Sequence, residues 1–129
     1  KVTLKQVVDR VNRERIPTYV ITCTPKPDDP YHQEAVALLR QSAWVEVRFN
    51  DSLHAKLYIC NRRDRSFALL GSANLTPTSV RRNIEIGLML YARGSGKDLI
   101  HELNVWGTDR LRHLPETRLE KGLSPDGRR

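Results

Sequence analysis

His54-Ala55-Lys56-Leu57-Tyr58-Ile59-Cys60, then Asn61-Arg62-Arg63-Asp64-Arg65-Ser66, then Phe67-Ala68-Leu69-Leu70-Gly71-Ser72-Ala73-Asn74, is the stretch whose reading decides the fold. Residues 54–60 and 66–70 read as two strands, and the short polar connection 61–65 makes an antiparallel hairpin the economical way to join them. Side chains two apart in a strand share a face. His54, Lys56 and Tyr58 are therefore expected on one side, with imidazole and ammonium about 7 Å apart at roughly 3.3 Å of rise per residue. The second strand delivers Gly71-Ser72-Ala73-Asn74, whose polar members are again two apart. Together the two ends could surround one phosphate.

His54-Ala55-Lys56 followed by Gly71-Ser72-Ala73-Asn74 resembles the HxK…GSxN signature of the phospholipase D superfamily. Glu85, in Asn83-Ile84-Glu85-Ile86-Gly87, resembles the acid found downstream in that family. The pairing of the two motifs carries the resemblance, because a His and a Lys two apart are common by themselves. It spans about residues 17–106 and is strongest over 54–90. One position departs from the pattern: where the family usually has Asp, five residues after the Lys, this chain has Asn61, with Asp64 further on. That position is usually a structural hydrogen-bonder, so the departure bears on local packing more than on chemistry.

Outward from the motif, secondary structure follows from pattern. Thr3 with Gln6 forms a capping box, and Leu4, Val7, Val8 and Val11 recur at helical spacing, giving a helix over 4–14 ended by Pro17. Residues 18–23 are β-branched and read as a strand buried on both faces. Asp29 as cap with Pro30 begins a second helix, with Tyr31, Ala35, Leu38 and Leu39 on its apolar face and His32 towards solvent. Residues 44–49 alternate as a strand. Thr76-Pro77 opens a short helical turn, and 84–90 is a further strand with Glu85 opposite its aliphatic residues. Ser95 and Asp98 resemble a second capping box, with Leu99, Ile100, Leu103 and Trp106 as the apolar face of a third helix. The sum is an α/β fold, a mixed sheet with helices on its faces. We expect a catalytic domain over 1–106 and a loosely packed basic tail or linker over 107–129. Family domains usually carry another strand before the first helix, so the N-terminus is read as incomplete and the chain as one piece of a larger multidomain protein.

Composition narrows the partners. Twenty-two Lys and Arg against fifteen Asp and Glu give a net charge of +7, which favours polyanions, nucleic acid first among them. Arg62, Arg63, Arg65, Arg81 and Arg82 flank the motif and are the candidate nucleic-acid contacts, against the plainer reading of a solvated loop surface. No apolar run approaches the roughly 20 residues that span a bilayer. Cys23 and Cys60 show no metal spacing and read as buried small hydrophobes in a reducing compartment, the cytoplasm.

The resemblance implies chemistry through a phosphohistidine. A neutral imidazole attacks phosphorus while a second, charged one protonates the departing oxygen. His54 is the expected nucleophile. Lys56, Ser72 and Asn74 stabilise charge on the non-bridging oxygens, and Glu85 orients an imidazole. This scheme uses no metal or other cofactor, and the scarcity of clustered carboxylates agrees with it. With one copy of the motif, the family pattern implies a homodimer that pairs two His54 residues. His101 and His113 read as surface residues. Tyr58 reads as a cleft-wall residue before a base-stacking one. Without Gly71-Ser72 nearby, His54 would be read as an ordinary strand histidine. The leading expectation is a metal-independent endonuclease for DNA or RNA. A phospholipase or phosphatidyl transferase, and a catalytically silent nucleic-acid-binding module, are the alternatives.

Overall fold

The computed structural model describes residues 3–54, 56–61, 66–71 and 87–125. Two compact units divide them: Lys1–Leu53 with Leu111–Arg129, and His54–Arg110 between them in the chain. The architecture is mixed α/β, as expected, but its described strands form two three-stranded sheets rather than one.

In the first unit, α1 (Leu4–Glu14) starts at Thr3, whose side chain accepts from the Gln6 amide while the Gln6 side chain accepts from the Thr3 amide. Arg15, not Pro17, ends this helix: it adopts φ 55°, and the next amide, Ile16, reaches back to the Val11 carbonyl at 3.0 Å. That is the left-handed cap usually supplied by glycine. β1 (Thr18–Thr22) runs parallel to β2 (Val45–Phe49), with α2 (Pro30–Arg40) as crossover. Val45, Val47 and Phe49 alternate onto one face of β2 and pack with Val11 and Val36 from the two helices. Ser42 links the helices to the sheet: its hydroxyl donates to the Asn12 side chain and accepts from the Trp44 amide at 3.2 Å.

Several expectations are corrected here. Tyr31 is 83% exposed and Val36 takes the core position on α2, because the inward arc of that helix runs through Val36 and the half-buried Ala35 and Leu39 rather than through Tyr31. Tyr19 is exposed, so β1 is not buried on both faces. Cys23 is exposed and Cys60 half-buried, both as free thiols. His32 does not simply face solvent: it is half-buried, with Nε2 3.3 Å from the Thr22 hydroxyl. The largest correction lies beyond residue 106. Arg118–Lys121 forms a strand, labelled β6 below, antiparallel to β2. Lys121 donates through Nζ to the carbonyls of Ser42 and Val45, and its burial lowers its pKa. Arg40 pairs with Glu120. A charge-rich segment reads as tail from its composition, because an edge strand needs few apolar residues when backbone pairing and ion pairs hold it.

The other face of β2 carries Glu46, 5% exposed, and Arg48. Glu46 accepts from Arg112 Nε at 2.8 Å and Nη2 at 2.9 Å, and from Arg48 Nη2 at 3.2 Å. Burial pushes the Glu46 carboxyl up, but hydrogen bonds and charge from the two guanidiniums outweigh it and hold the group below the usual range. The Arg112 guanidinium also lies 4.8 Å over the Tyr19 ring.

In the second unit, β3 (Leu57–Cys60), β4 (Phe67–Gly71) and β5 (Gly87–Tyr91) form an antiparallel meander. The hairpin read from sequence is therefore present, with β3 beginning at Leu57 rather than at His54. The Ser66 hydroxyl donates to the Asn61 side-chain Oδ1 at 2.8 Å, so the residue departing from the family pattern makes a structural bond across the hairpin ends. The third helix, α3 (Ser95–Val105), has Gly94 as its cap with no side-chain bond, in place of the Ser95 box expected. Ile100 is its buried residue, while Leu99 and Trp106 stay exposed. Gly96 sets its approach to β5, since a Cβ there would overlap the Tyr91 carbonyl oxygen. Gly96→Ala is expected to lower stability by about 1–3 kcal/mol, read as a fall in thermal midpoint. The same change at Gly107, where an added Cβ meets nothing within 4 Å, serves as its control.

Candidate active site

Site geometry starts from the hairpin register. Leu57 pairs with Leu70, and one step further the Gly71 amide donates to the Lys56 carbonyl at 3.3 Å. The lysine of the first motif thus lies against the glycine that opens the second. On the other side of β4, Gly71 pairs with Gly87, two residues after Glu85. Lys56, Gly71 and Gly87 therefore stand in one row across three neighbouring chain segments, although 15 residues of sequence separate the first two and 16 the last two. Leu69 Cδ1 would lie 3.5 Å from a Cβ on Gly87, an ordinary contact, so this row is tight but unstrained.

His54 is exposed and Lys56 half-buried. Both precede β3, so the face-sharing expected of a strand beginning at 54 is not what positions them. Within the first unit, the turn that precedes residue 54 in the chain is anchored by Asn50, which is 3% exposed. The Asn50 amide donates to the Thr22 carbonyl at 2.9 Å, and its side chain donates to the Thr117 hydroxyl at 3.0 Å and accepts from the Ser52 amide at 2.9 Å. The Leu53 amide closes the turn on the Asn50 carbonyl at 3.1 Å. Beside it, Asp51 accepts from the Thr24 amide at 2.8 Å, with Arg118 3.5 Å away; hydrogen bonds from Thr24 lower the Asp51 pKa. This network follows the carboxyl ends of the parallel strands β1 and β2 within the first unit. Sequence reading missed Asn50 and Thr117 because neither belongs to a motif, and only burial marks them.

Ser72, Asn74 and Glu85 lie outside the described residues, as do Arg62, Arg63, Arg65, Arg81 and Arg82 and the turn expected at Thr76-Pro77. His101 on α3 and His113 are both exposed, as read. Among the described residues no group of three or more His, Cys, Asp or Glu is placed to hold a metal ion, and no helix is long and apolar enough to cross a membrane.

The family model described as cardiolipin synthase, PLD-like domain, matches residues 4–106, and the chain belongs to the phospholipase D superfamily. At the level of its superfamily the chain is a phosphodiesterase-type domain. No curated protein and no solved structure gives a significant match.

Proposed function

We propose that the chain is a metal-independent endonuclease that cleaves DNA or RNA through a phosphohistidine on His54, acting as a homodimer. The observation that carries this reading is the row Lys56, Gly71, Gly87, which gathers the flanks of all three motif segments at one end of one sheet. In the reaction, an imidazole nitrogen of His54 forms a bond to phosphorus as the bond to the leaving oxygen breaks. The His54 of a second copy gives that oxygen a proton. Water, deprotonated by the same second imidazole, then cleaves the phosphorus–nitrogen bond and frees the first. Lys56, with Ser72 and Asn74, neutralises charge on the non-bridging oxygens, and Glu85 orients an imidazole. Arg62, Arg63, Arg65, Arg81 and Arg82 draw the polyanion to the site, in keeping with the net charge of +7. A reducing compartment, the cytoplasm, suits two free thiols.

The test is cleavage of labelled single- and double-stranded DNA and RNA in excess EDTA. Chelator-resistant cleavage by the dimeric protein is the expected result. Absence of cleavage from a folded dimer would sink the nuclease reading. A second reading, phosphatidyl transfer, is favoured by the cardiolipin-synthase character of the matching family and by the exposed Leu88, Met89 and Tyr91 on β5. It predicts turnover of glycerol-headed anionic lipid in vesicles and none of nucleic acid.

A further inference from the structure

Past the end of α3 the chain winds into a π-helical turn, Trp106–Arg110, and there a second site of different chemistry opens. Val105 and Trp106 line a pocket of about 400 Å³ together with His101, Glu102 and Arg110. Trp106 is 37% exposed, a large area for an indole, which usually buries most of its surface. Its chain neighbours and the helix backbone aside, an added Cβ at Gly107 would meet nothing within 4 Å, so the turn is uncrowded at that position. The wide turn is held by Thr108, whose hydroxyl donates to the Asn104 carbonyl at 2.7 Å; such turns are frequent at functional sites. Neither Glu102 nor Arg110 forms an ion pair among the described residues.

A planar apolar surface beside one guanidinium and one carboxylate has a specific complement. We infer that this pocket takes a base of single-stranded nucleic acid, stacked on Trp106, with the adjoining phosphate on Arg110 and a base or sugar donor on Glu102. Stacking on an aromatic side chain tolerates any base and needs the base to be unpaired. Arg110 supplies the charge match to the backbone. A bilayer is the poorer fit, because a concave pocket of this size presents no extended apolar face to bury in it. The inference rests on the nucleic-acid reading above and adds a holding point apart from the row that carries the chemistry.

The experiment measures binding in a His54→Ala background, so that the strand stays intact. The probe is a short labelled single-stranded oligodeoxynucleotide at low salt with EDTA. Trp106→Ala is expected to weaken binding about tenfold or more, from the usual worth of one stacked base, and Trp106→Phe by less. Arg110→Gln is expected to weaken it several-fold and flatten the salt dependence. With Trp44→Phe leaving Trp106 as the sole indole of the two in the chain, the strand should quench its emission. Unchanged affinity in folded Trp106→Ala with no quenching overturns the inference. So does quenching by anionic phosphatidylglycerol vesicles with none by the strand, or failure of the strand to bind at all. If the parent cleaves nucleic acid yet Trp106 is indifferent, only this inference falls. Trp106-dependent binding by a parent that cleaves nothing upholds the pocket and removes the nuclease.

Discussion

His54→Ala abolishes turnover while leaving the chain folded: that is the expected result, with a loss on the order of 10⁴-fold or more, since under the proposed scheme the variant lacks both the attacking nitrogen and, in the second copy, the acid. The position is exposed, so truncation removes no core contact and the thermal midpoint should hold. Lys56→Gln is milder, about 10²–10³-fold, as for loss of one charge-stabilising donor. Because each site would draw one His54 from each copy, mixing active with inactive chains under exchange gives activity that falls as the square of the intact fraction. A linear fall would show that one chain suffices and would end the dimeric scheme. The rate should also follow a bell in pH, one imidazole being needed neutral and the other charged.

Glu46→Gln is expected to have the largest effect on stability. The carboxylate sits 6% exposed between two guanidiniums that are 15% and 26% exposed in their side chains. Removing its charge leaves Arg48 and Arg112 facing each other in a half-dry place. Breaking a buried pair costs roughly 3–5 kcal/mol; partial exposure of both arginines brings the expectation to about 2–3 kcal/mol, or on the order of 10 °C in thermal midpoint. Adding Arg112→Met should recover part of this, because the like-charge opposition is then gone. The pH dependence has a definite sign. The folded carboxyl titrates below its ordinary value of 4.5, so its contribution is complete above that pH and is lost as pH falls through the folded value. The parent should therefore lose stability more steeply than Glu46→Gln on acidification below about pH 4.5. Parallel pH profiles would contradict the ion cluster.

The hairpin was legible in the sequence because two apolar runs with a short charged link leave few alternatives. α1 was legible because the Thr3 and Gln6 cap and the valine spacing agree. The motif pairing was equally plain, and the register that places Lys56 against Gly71 is what a hairpin of that length produces. What stayed hidden depends on partners distant in sequence. Glu46 and Arg48 look like the solvated face of an alternating strand until Arg112 arrives from 66 residues away. Residues 118–121, Arg-Leu-Glu-Lys, have no strand-like composition; their pairing is dictated by the open edge of β2 and by carbonyls that accept from Lys121. Asn50 and Thr117 similarly reveal nothing until they meet 67 residues apart.

β2 lies at the centre of its sheet, between β1, which precedes it closely, and β6, near the end of the chain. During synthesis the two edges of β2 are therefore satisfied at very different times. The meander β3–β5 has only local pairings and can close as soon as Tyr91 emerges, whereas the first sheet keeps one edge of β2 open until Lys121 is made. The order of assembly is thus written into the topology: the inserted unit first, the unit that carries the buried ion cluster last. A nascent chain stalled before residue 118 would leave one edge of β2 open, the feature that recruits chaperones or seeds edge-to-edge association.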